Sequence, residues 1–366
     1  MSNPQTDAER LAWLRLSRSR NVGSRSFQSL MGRYGGAGAA LDALPDLAAR
    51  GGARAYQACS ERQGVTEMER ALAAGARMLC LGAYDYPERL AEIADPPPFL
   101  CALGDVALAA GSVLALIGTR NASSVGLRMA HLLAKDLGDR GHIIASGLAR
   151  GVDAAAHQAA LDTGTIGVLA GGVDHIYPAE NEKLAAEMAE KGLLLSEAPM
   201  GLAPQGRHFP RRNRIASGLS RAVIVVEAAA RSGSLITARF ALDQGREAMA
   251  TPGSPLDSRA EGCNELIKQG AALVRDADDV EDVLCGPRIL ALHEPAQLFE
   301  HNIRVEADPD LAERAMSLLC VAPVEVDRLA RDLAVTPANL SEALLELDLA
   351  GKIERRPGGL IARSPD

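Results

Sequence analysis

The 366-residue sequence contains six cysteines, and no two of them stand at CxxC spacing. Cys59, Cys80, Cys101, Cys263, Cys285 and Cys320 are far apart, which argues against a zinc site and suits reduced core thiols in a cytoplasmic protein. There is no apolar run long enough to span a bilayer, and the N-terminus is too polar for a signal peptide, so no membrane association is expected. The GxxxxGK(S/T) loop of a Walker-type ATPase is missing. So is GxGxxG with a later ribose-binding acid, which weakens a nicotinamide dehydrogenase. No GxSxG elbow offers a hydrolase nucleophile. The seven histidines are scattered and supply no metal-ligand set. No cofactor is expected.

Positive charge is also in short supply overall. The chain carries 39 Lys and Arg against 47 Asp and Glu, a net charge of -8, which argues weakly against a nonspecific nucleic-acid coat. Its distribution says more. Residues 1–80 hold eleven Arg and seven acids, net +4, whereas residues 308–366 hold seven basic and eleven acidic groups, net -4. Within the acidic middle, Arg207, Arg211, Arg212 and Arg214 cluster with no acid among them. A local patch of this kind can hold phosphate on an acidic protein, because screening limits distant charges to about 8–10 Å.

Residues 1–80 read as short helices forming an N-terminal domain. A Gly-containing turn, Asn21-Val22-Gly23, joins two of them, and such a turn can present backbone N–H groups to a DNA phosphate or simply pack. Residues 81–111 read as a connector and lead-in, because Pro96-Pro97-Pro98 favours an extended path. From 112 to 286 the pattern is strand, Gly or Ser turn, helix, repeated. Val113–Ile117, Ile143–Ser146, Ile166–Leu169, Leu193–Ser196, Ala222–Val226 and Ala248–Ala250 are apolar with little alternation, as strands of a doubly covered parallel sheet are. The fold class is therefore α/β with a Rossmann-like core. Residues 287–307 read as a linker. Residues 308–366 read as three helices and a terminal hairpin, which is winged-helix order.

Short motifs recur at the strand ends. Gly118-Thr119-Arg120 follows the first core strand, and Ser123 or Ser124 can cap the next helix, whose N-terminus offers free N–H groups. Ser146-Gly147-Leu148-Ala149-Arg150-Gly151-Val152-Asp153 follows the second, with Asp153 expected as a helix N-cap and His157 packed beneath it. Gly171-Gly172 and Ser232-Gly233-Ser234 repeat the small-residue pattern. Singly each is a turn. Together, at the carboxyl edge of one sheet, Gly118, Thr119, Gly171, Gly172, Ser232, Gly233 and Ser234 predict a phosphate-lined groove. In the basic cluster, arginines can track a backbone while Phe209 stacks a base, or Phe209 can belong to the core. Arg214 and Asn213 have a second reading, capping and pairing within the fold, for instance with Glu227.

Taken in order, these residues resemble the DNA-processing protein A family (DprA, also called Smf). The likeness runs from Tyr86-Pro87 and Asp95-Pro96-Pro97 through Gly118-Thr119-Arg120, Ser146–Asp153, His157, Tyr177-Pro178, Asn181, Ser196-Glu197 and Phe209–Arg214. It continues through Glu227, Ser232–Ala238, Pro252-Gly253 and Gly262-Cys263-Asn264 to Leu266-Ile267, covering about 84–275. Val152 stands where Ile is usual, and Ile117 where Val is usual. The flanks resemble the family's SAM-like N-terminal and winged-helix C-terminal domains.

The resemblance implies a non-enzymatic single-stranded-DNA-binding recombination mediator of natural transformation. Such a protein would protect incoming DNA, load the recombinase RecA onto it, and form a homodimer. The DNA-binding positions it implies are Arg120, Ser146, Gly147, Arg150, Arg207, Phe209, Arg211, Arg212 and Asn213. A rival reading is a nucleotide-binding hydrolase related to the lysine-decarboxylase-like phosphoribohydrolases, but their PGGxGTxxE signature is absent. The third helix of the C-terminal module carries Glu342, Glu346 and Asp348 where a duplex-reading helix needs donors, so this module is expected to contact protein or to be structural.

Overall fold

Runs of Val, Ile and Leu that lack a polar alternate residue can fold only where both faces of a sheet are covered. The computed structural model describes residues 4, 6–52, 55–285, 310–320, 322–356 and 359–364. The linker expected at 287–307 lies outside the described residues. The described chain divides into two compact units. One joins the chain up to Val65 with the C-terminal residues from Asp310 onward, and the other starts at Thr66.

The N-terminal part of the first unit consists of α1 (Asp7–Arg18), α2 (Ser24–Tyr34) and α3 (Ala37–Arg50). Thr6 and Glu9 form a reciprocal capping box that starts α1. Asn21 lies in the left-handed region (φ 61°) and turns the chain into α2. Trp13 meets Phe27 edge-on at 5.0 Å in the core between them.

The second unit takes up the chain within α4 (Glu61–Ala73), and β1 (Arg77–Cys80), α5 (Glu88–Ala91) and β2 (Phe99–Gly104) follow. The repeat then runs β3 (Ser112–Ile117), α6 (Ser124–Asp139), β4 (His142–Ser146), α7 (Val152–Ala159), β5 (Thr165–Val168), α8 (Glu182–Lys191) and β6 (Leu193–Ser196). It continues as α9 (His208–Leu219), β7 (Ala222–Val225), α10 (Ser234–Asp243), β8 (Glu247–Ala250), α11 (Glu261–Lys268), β9 (Ala272–Leu273) and α12 (Ala277–Cys285).

The strands form one nine-stranded sheet in the order β1-β2-β6-β5-β4-β3-β7-β8-β9. Every pair from β6 to β9 is parallel, with Val113 opposite Ile143 and Leu114 opposite Ala222. Alternate residues of β3 face opposite cores. Leu114 and Leu116 join Ile144, Ile224 and the α6 residues Leu133 and Leu137, while Ala115 and Ile117 join Val223, Val225 and Ala238. Burying each such Leu or Ile side chain contributes about 1.5–3 kcal/mol.

The sheet corrects the reading of 81–111 as a connector and of 77–80 as part of the helical domain. Phe99–Gly104 pairs antiparallel with β6 on one side and with β1 on the other. The prolines end where the strand begins, and the Pro98 carbonyl accepts the Leu81 N–H at 3.1 Å. An apolar run of five residues after three prolines resembles a linker in sequence. Only its register against Leu193–Ser196 identifies it as a strand.

The C-terminal residues form α13 (Leu311–Leu318), β10 (Val324–Glu325), α14 (Val326–Leu333), α15 (Pro337–Leu349), β11 (Ile353–Arg356) and β12 (Leu360–Arg363). The strands order β10-β12-β11 as an antiparallel wing, and Leu329, Leu333, Leu340, Leu344, Leu347, Ile353 and Ile361 pack as its core. Within this first unit, α15 packs on α2 and α3. Its three acids, which marked it as a poor DNA reader, meet groups of the N-terminal helices. Arg33 pairs with Glu342 at 2.7 Å, Arg50 with Glu346 at 3.6 Å, and the Ser26 hydroxyl donates to Asp348 at 2.8 Å.

At Gly104, φ is +109° and an added Cβ would sit 2.3 Å from the Gly192 carbonyl oxygen. Gly104→Ala is therefore expected to lower stability by about 1–3 kcal/mol, read from the urea midpoint. An unchanged midpoint would remove β2 from the cooperative sheet.

Candidate nucleic-acid interface

The strand order reverses direction between β3 and β7, since β4, β5 and β6 extend to one side and β8 and β9 to the other. Beyond the carboxyl ends of these two strands lies a cleft of about 320 Å³. Gly118, Thr119 and Arg120, then Phe209, Arg212 and Asn213, then Ser232, Gly233 and Ser234 line it. This is where an open α/β sheet leaves room for a ligand. A neighbouring hollow of about 240 Å³ shares Arg120 and Phe209 and adds Gly147, Arg150 and Tyr177.

The turn after β4 is held from beneath. The N–H groups of Gly147 and Ala149 donate to the Asp153 carboxylate at 3.1 and 3.4 Å. Asn181 Nδ2 donates to the carbonyls of Leu148 and Ala149 at 2.9 and 3.3 Å. These bonds fix Leu148 at φ 53°, a conformation unusual for a branched side chain. Asp153 was expected to cap its own helix. Gly151 occupies the cap position instead, and Asp153 caps the turn before it. Burial raises the Asp153 pKa, and the charge of Arg212 opposes that rise. His157 does pack beneath, fully buried with Nδ1 2.7 Å from the Thr165 hydroxyl, and desolvation followed by the Arg212 charge lowers its pKa to about 3.

Three residues expected to touch DNA also hold the geometry of the turn, Arg212 while lining the cleft and Gly147 while lining the neighbouring hollow. The Ser146 hydroxyl is fully buried and donates to the Leu116 carbonyl at 2.6 Å. Gly147 is buried because the Arg212 guanidinium occupies the place of a Cβ, 1.6 Å from Nη1. Arg212 itself is only 8 % exposed, and its Nη1 donates to the Val168 carbonyl at 3.1 Å. Arg212 thereby bridges the ends of β4 and β5.

The other expected positions spread around the rim. Arg120, Arg150, Arg207 and Arg211 are exposed, and Phe209 and Asn213 are half-buried. The Arg120 guanidinium lies 4.9 Å from the centroid of the Phe209 ring. Tyr177, absent from the predicted contacts, lies 5.9 Å from the same ring and is half-exposed. Its position in Tyr177-Pro178 was visible in the sequence, but nothing local pointed it at Phe209. Arg150 pairs with Glu180 at 2.6 Å on the surface. Burial first, then the charges of Arg207 and Arg211, lower the His208 pKa, which registers the positive field at the start of α9.

The small-residue turns divide in the same way. Gly118, Thr119, Ser232, Gly233 and Ser234 line the cleft. Gly171 and Gly172 do not, because they pack against the 199–204 segment, where a Cβ on either would meet a carbonyl oxygen at 2.5 or 2.6 Å. The α6 N-terminus, expected to be open to phosphate, is closed by a buried acid, with Ser123 N–H donating to Glu227 at 2.8 Å. Arg214 does not pair with Glu227. It binds Glu197 at 2.6 Å and Asp95 at 3.4 Å, and Arg259 approaches Glu227 at 3.9 Å. Asn213 donates to the Gly233 carbonyl at 3.4 Å. Among the described residues, no cluster of His, Cys, Asp or Glu could hold a metal ion, and no helix is long and apolar enough to cross a membrane.

Comparison with known proteins agrees with this architecture. Residues 77–284 match the family model described as DNA recombination-mediator protein A. Residues 7–70 match the DprA-like N-terminal HHH domain, and 304–359 the DprA winged helix domain. The chain belongs to the DNA recombination-mediator protein A (DprA/Smf) family. It is 46% identical over 213 residues to the DNA processing protein DprA of Bacillus subtilis, covering 57% of this chain and 72% of that protein. It is 40% identical over 284 residues to Protein Smf of Escherichia coli, covering 75% of this chain and 74% of that protein. The crystal structure of DNA processing protein A from Streptococcus pneumoniae is similar at a TM-score of 0.61 and 32% identity, covering 76% of this chain and 98% of that one. The Helicobacter pylori protein is similar at 0.53 and 32% identity, covering 57% and 95%.

Two outcomes follow from the turn. Gly147→Ala must displace Arg212 and is expected to cost about 1–3 kcal/mol in a denaturation midpoint. His157 charges near pH 6.5 when unfolded but only near 3 when folded, so in that window the unfolded state binds the extra proton and stability drops as the pH is lowered. His157→Gln is expected to flatten the stability slope between pH 6 and 4 by about 1.4 kcal/mol per pH unit. An unchanged slope would mean that His157 is solvated.

Proposed function

We propose that the chain binds single-stranded DNA along this cleft and acts as a non-enzymatic recombination mediator. The supporting observation is the arrangement at the switch point. Arg120 lies over Phe209, Tyr177 stands beside the same ring, and Arg150, Arg207 and Arg211 are exposed around them. A half-buried ring with an aromatic neighbour suits a base, and exposed guanidinium groups suit the phosphates that follow it. The related Helicobacter pylori protein is described by its single-stranded DNA binding mode, which supports the same reading here.

On this reading, Arg120, Arg150, Arg207 and Arg211 grip phosphate, and Phe209 with Tyr177 stacks bases. Asn213, Thr119, Ser232 and Ser234 offer neutral polar partners, while Ser146, Gly147, Asp153 and Arg212 position the turn. Backbone contacts leave the strand unread by sequence, as a mediator of recombination between arbitrary sequences requires. The protein would work in the cytoplasm as a homodimer, protecting incoming strands in natural transformation and presenting them to RecA.

Arg207→Glu with Arg211→Glu is expected to weaken single-strand binding steeply and to reduce the slope of log K against log salt by about 1.4, two phosphate contacts' worth. Phe209→Ala is expected to lose about 1–3 kcal/mol with the slope unchanged. Gel-shift titrations across salt read both. A slope unmoved by the double charge reversal would place these arginines away from the strand.

A further inference from the structure

The N-terminal helices carry a charge pattern that the cleft does not use. Between Glu9 and Asp42 the sequence has six arginines, Arg10, Arg15, Arg18, Arg20, Arg25 and Arg33, and no acid. The helix that packs on them is the converse: α15 has Glu342, Glu346 and Asp348 and no base. Glu342, Leu345, Glu346 and Leu349 share one face of α15 by spacing, opposite the Leu340, Leu344 and Leu347 face that builds the winged-helix core. Leu345 and Leu349 are buried although they stand outside that core. The face that a winged helix would lay in a DNA groove is therefore already committed.

What α15 covers is also specific. Asn21, at the tip of the α1–α2 turn, donates to the Leu349 carbonyl at 2.9 Å. Ser26, in the first turn of α2, donates to Asp348, and Arg33 and Arg50 reach Glu342 and Glu346. Gly51 sits so close that a Cβ would lie 2.3 Å from the Glu346 carbonyl oxygen. An amide, a hydroxyl and two guanidinium groups thus all receive oxygen anions or carbonyls from one helix. Arg20 and Arg25 remain exposed beside them and have no acidic partner among the described residues. Burial raises the Glu346 pKa even with Arg50 next to it, so holding a carboxylate there has a cost that an apolar residue would avoid.

We propose that the α2/α3 face is a second surface for a nucleic-acid phosphate backbone, and that the α15 carboxylates hold it shut. Carboxylate oxygens stand where phosphate oxygens would, so the two occupants compete for Ser26, Arg33 and Arg50. The winged helix then acts as a lid over the N-terminal domain and not as a reader of DNA.

The test uses the full chain with Arg120→Glu, Arg207→Glu and Arg211→Glu to silence the cleft. Two opened forms are built on it. One is Glu342→Gln/Glu346→Gln/Asp348→Asn, which removes the charges. The other is Gly51→Leu, which separates the faces by bulk and leaves every charge in place. Hydrogen exchange over residues 21–33 reports opening, and a 20-nucleotide single strand and a 20-base-pair duplex are the probes. Both opened forms are expected to exchange faster and to bind one or both probes about tenfold more tightly at low salt. Adding Arg33→Ala and Arg50→Ala should abolish the gain. The probe that gains identifies whether the surface takes paired or unpaired DNA. Faster exchange without a gain, a gain that survives Arg33→Ala and Arg50→Ala, or unchanged exchange in both forms would each overturn the proposal.

Discussion

A guanidinium buried beneath the β4 turn sets the geometry of the cleft. Arg212 reaches from α9 to the Val168 carbonyl and fills the space that a side chain at Gly147 would need. Asp153 lies buried in its field and holds the turn by two N–H groups. A buried charge of this kind is costly unless its partners are in place. Arg212 and Asp153 therefore link the turn, the N-terminal part of α9 and the first turn of α7. Arg120, Phe209 and Tyr177 converge because their backbones are pinned to this arrangement.

The arginines of the basic cluster consequently do different work. Arg214 is tied to Glu197 and Asp95, and Arg212 is turned inward, while Arg207 and Arg211 face solvent. Their partners separate them, since Arg214 meets Glu197 and Asp95 and Arg212 meets the Val168 carbonyl, so that a run that looks uniform in sequence presents two structural and two exposed cations. That division explains how a protein of net charge -8 can keep a local positive rim. Two of the acids near the cleft are used internally, Glu227 at the start of α6 and Asp153 under the β4 turn, while Glu180 meets Arg150 at the surface.

The same economy of charge appears in the other unit. The acidic α15 and the N-terminal helices α2 and α3 are far apart in sequence but complementary, and they meet through Ser26 and Arg33 of α2 and Arg50 of α3. Helical periodicity gives α15 two buried faces, one for the winged-helix core and one for α2 and α3. A helix with acids on its outer face has thereby become an inner helix, and its low amphipathicity follows from that position.

The sequence by itself determined the α/β class, most core strands, the winged-helix order and the family, because apolar runs, glycine turns and the ordered motifs are local signals. It also placed Gly118, Thr119, Arg120, Phe209 and Ser232–Ser234 at strand ends that proved to share one cleft. Tertiary structure alone decided which of these groups face outward. The structural partners of Ser146 and Arg212, the Leu116 and Val168 carbonyls, are brought beside them only by the sheet. Tyr177 gained its place only through the approach of α9, and Phe99–Gly104 became a strand only through register with β6. Contacts between residues distant in the chain carry no periodicity of their own, and for that reason burial and pairing had to be read from the fold.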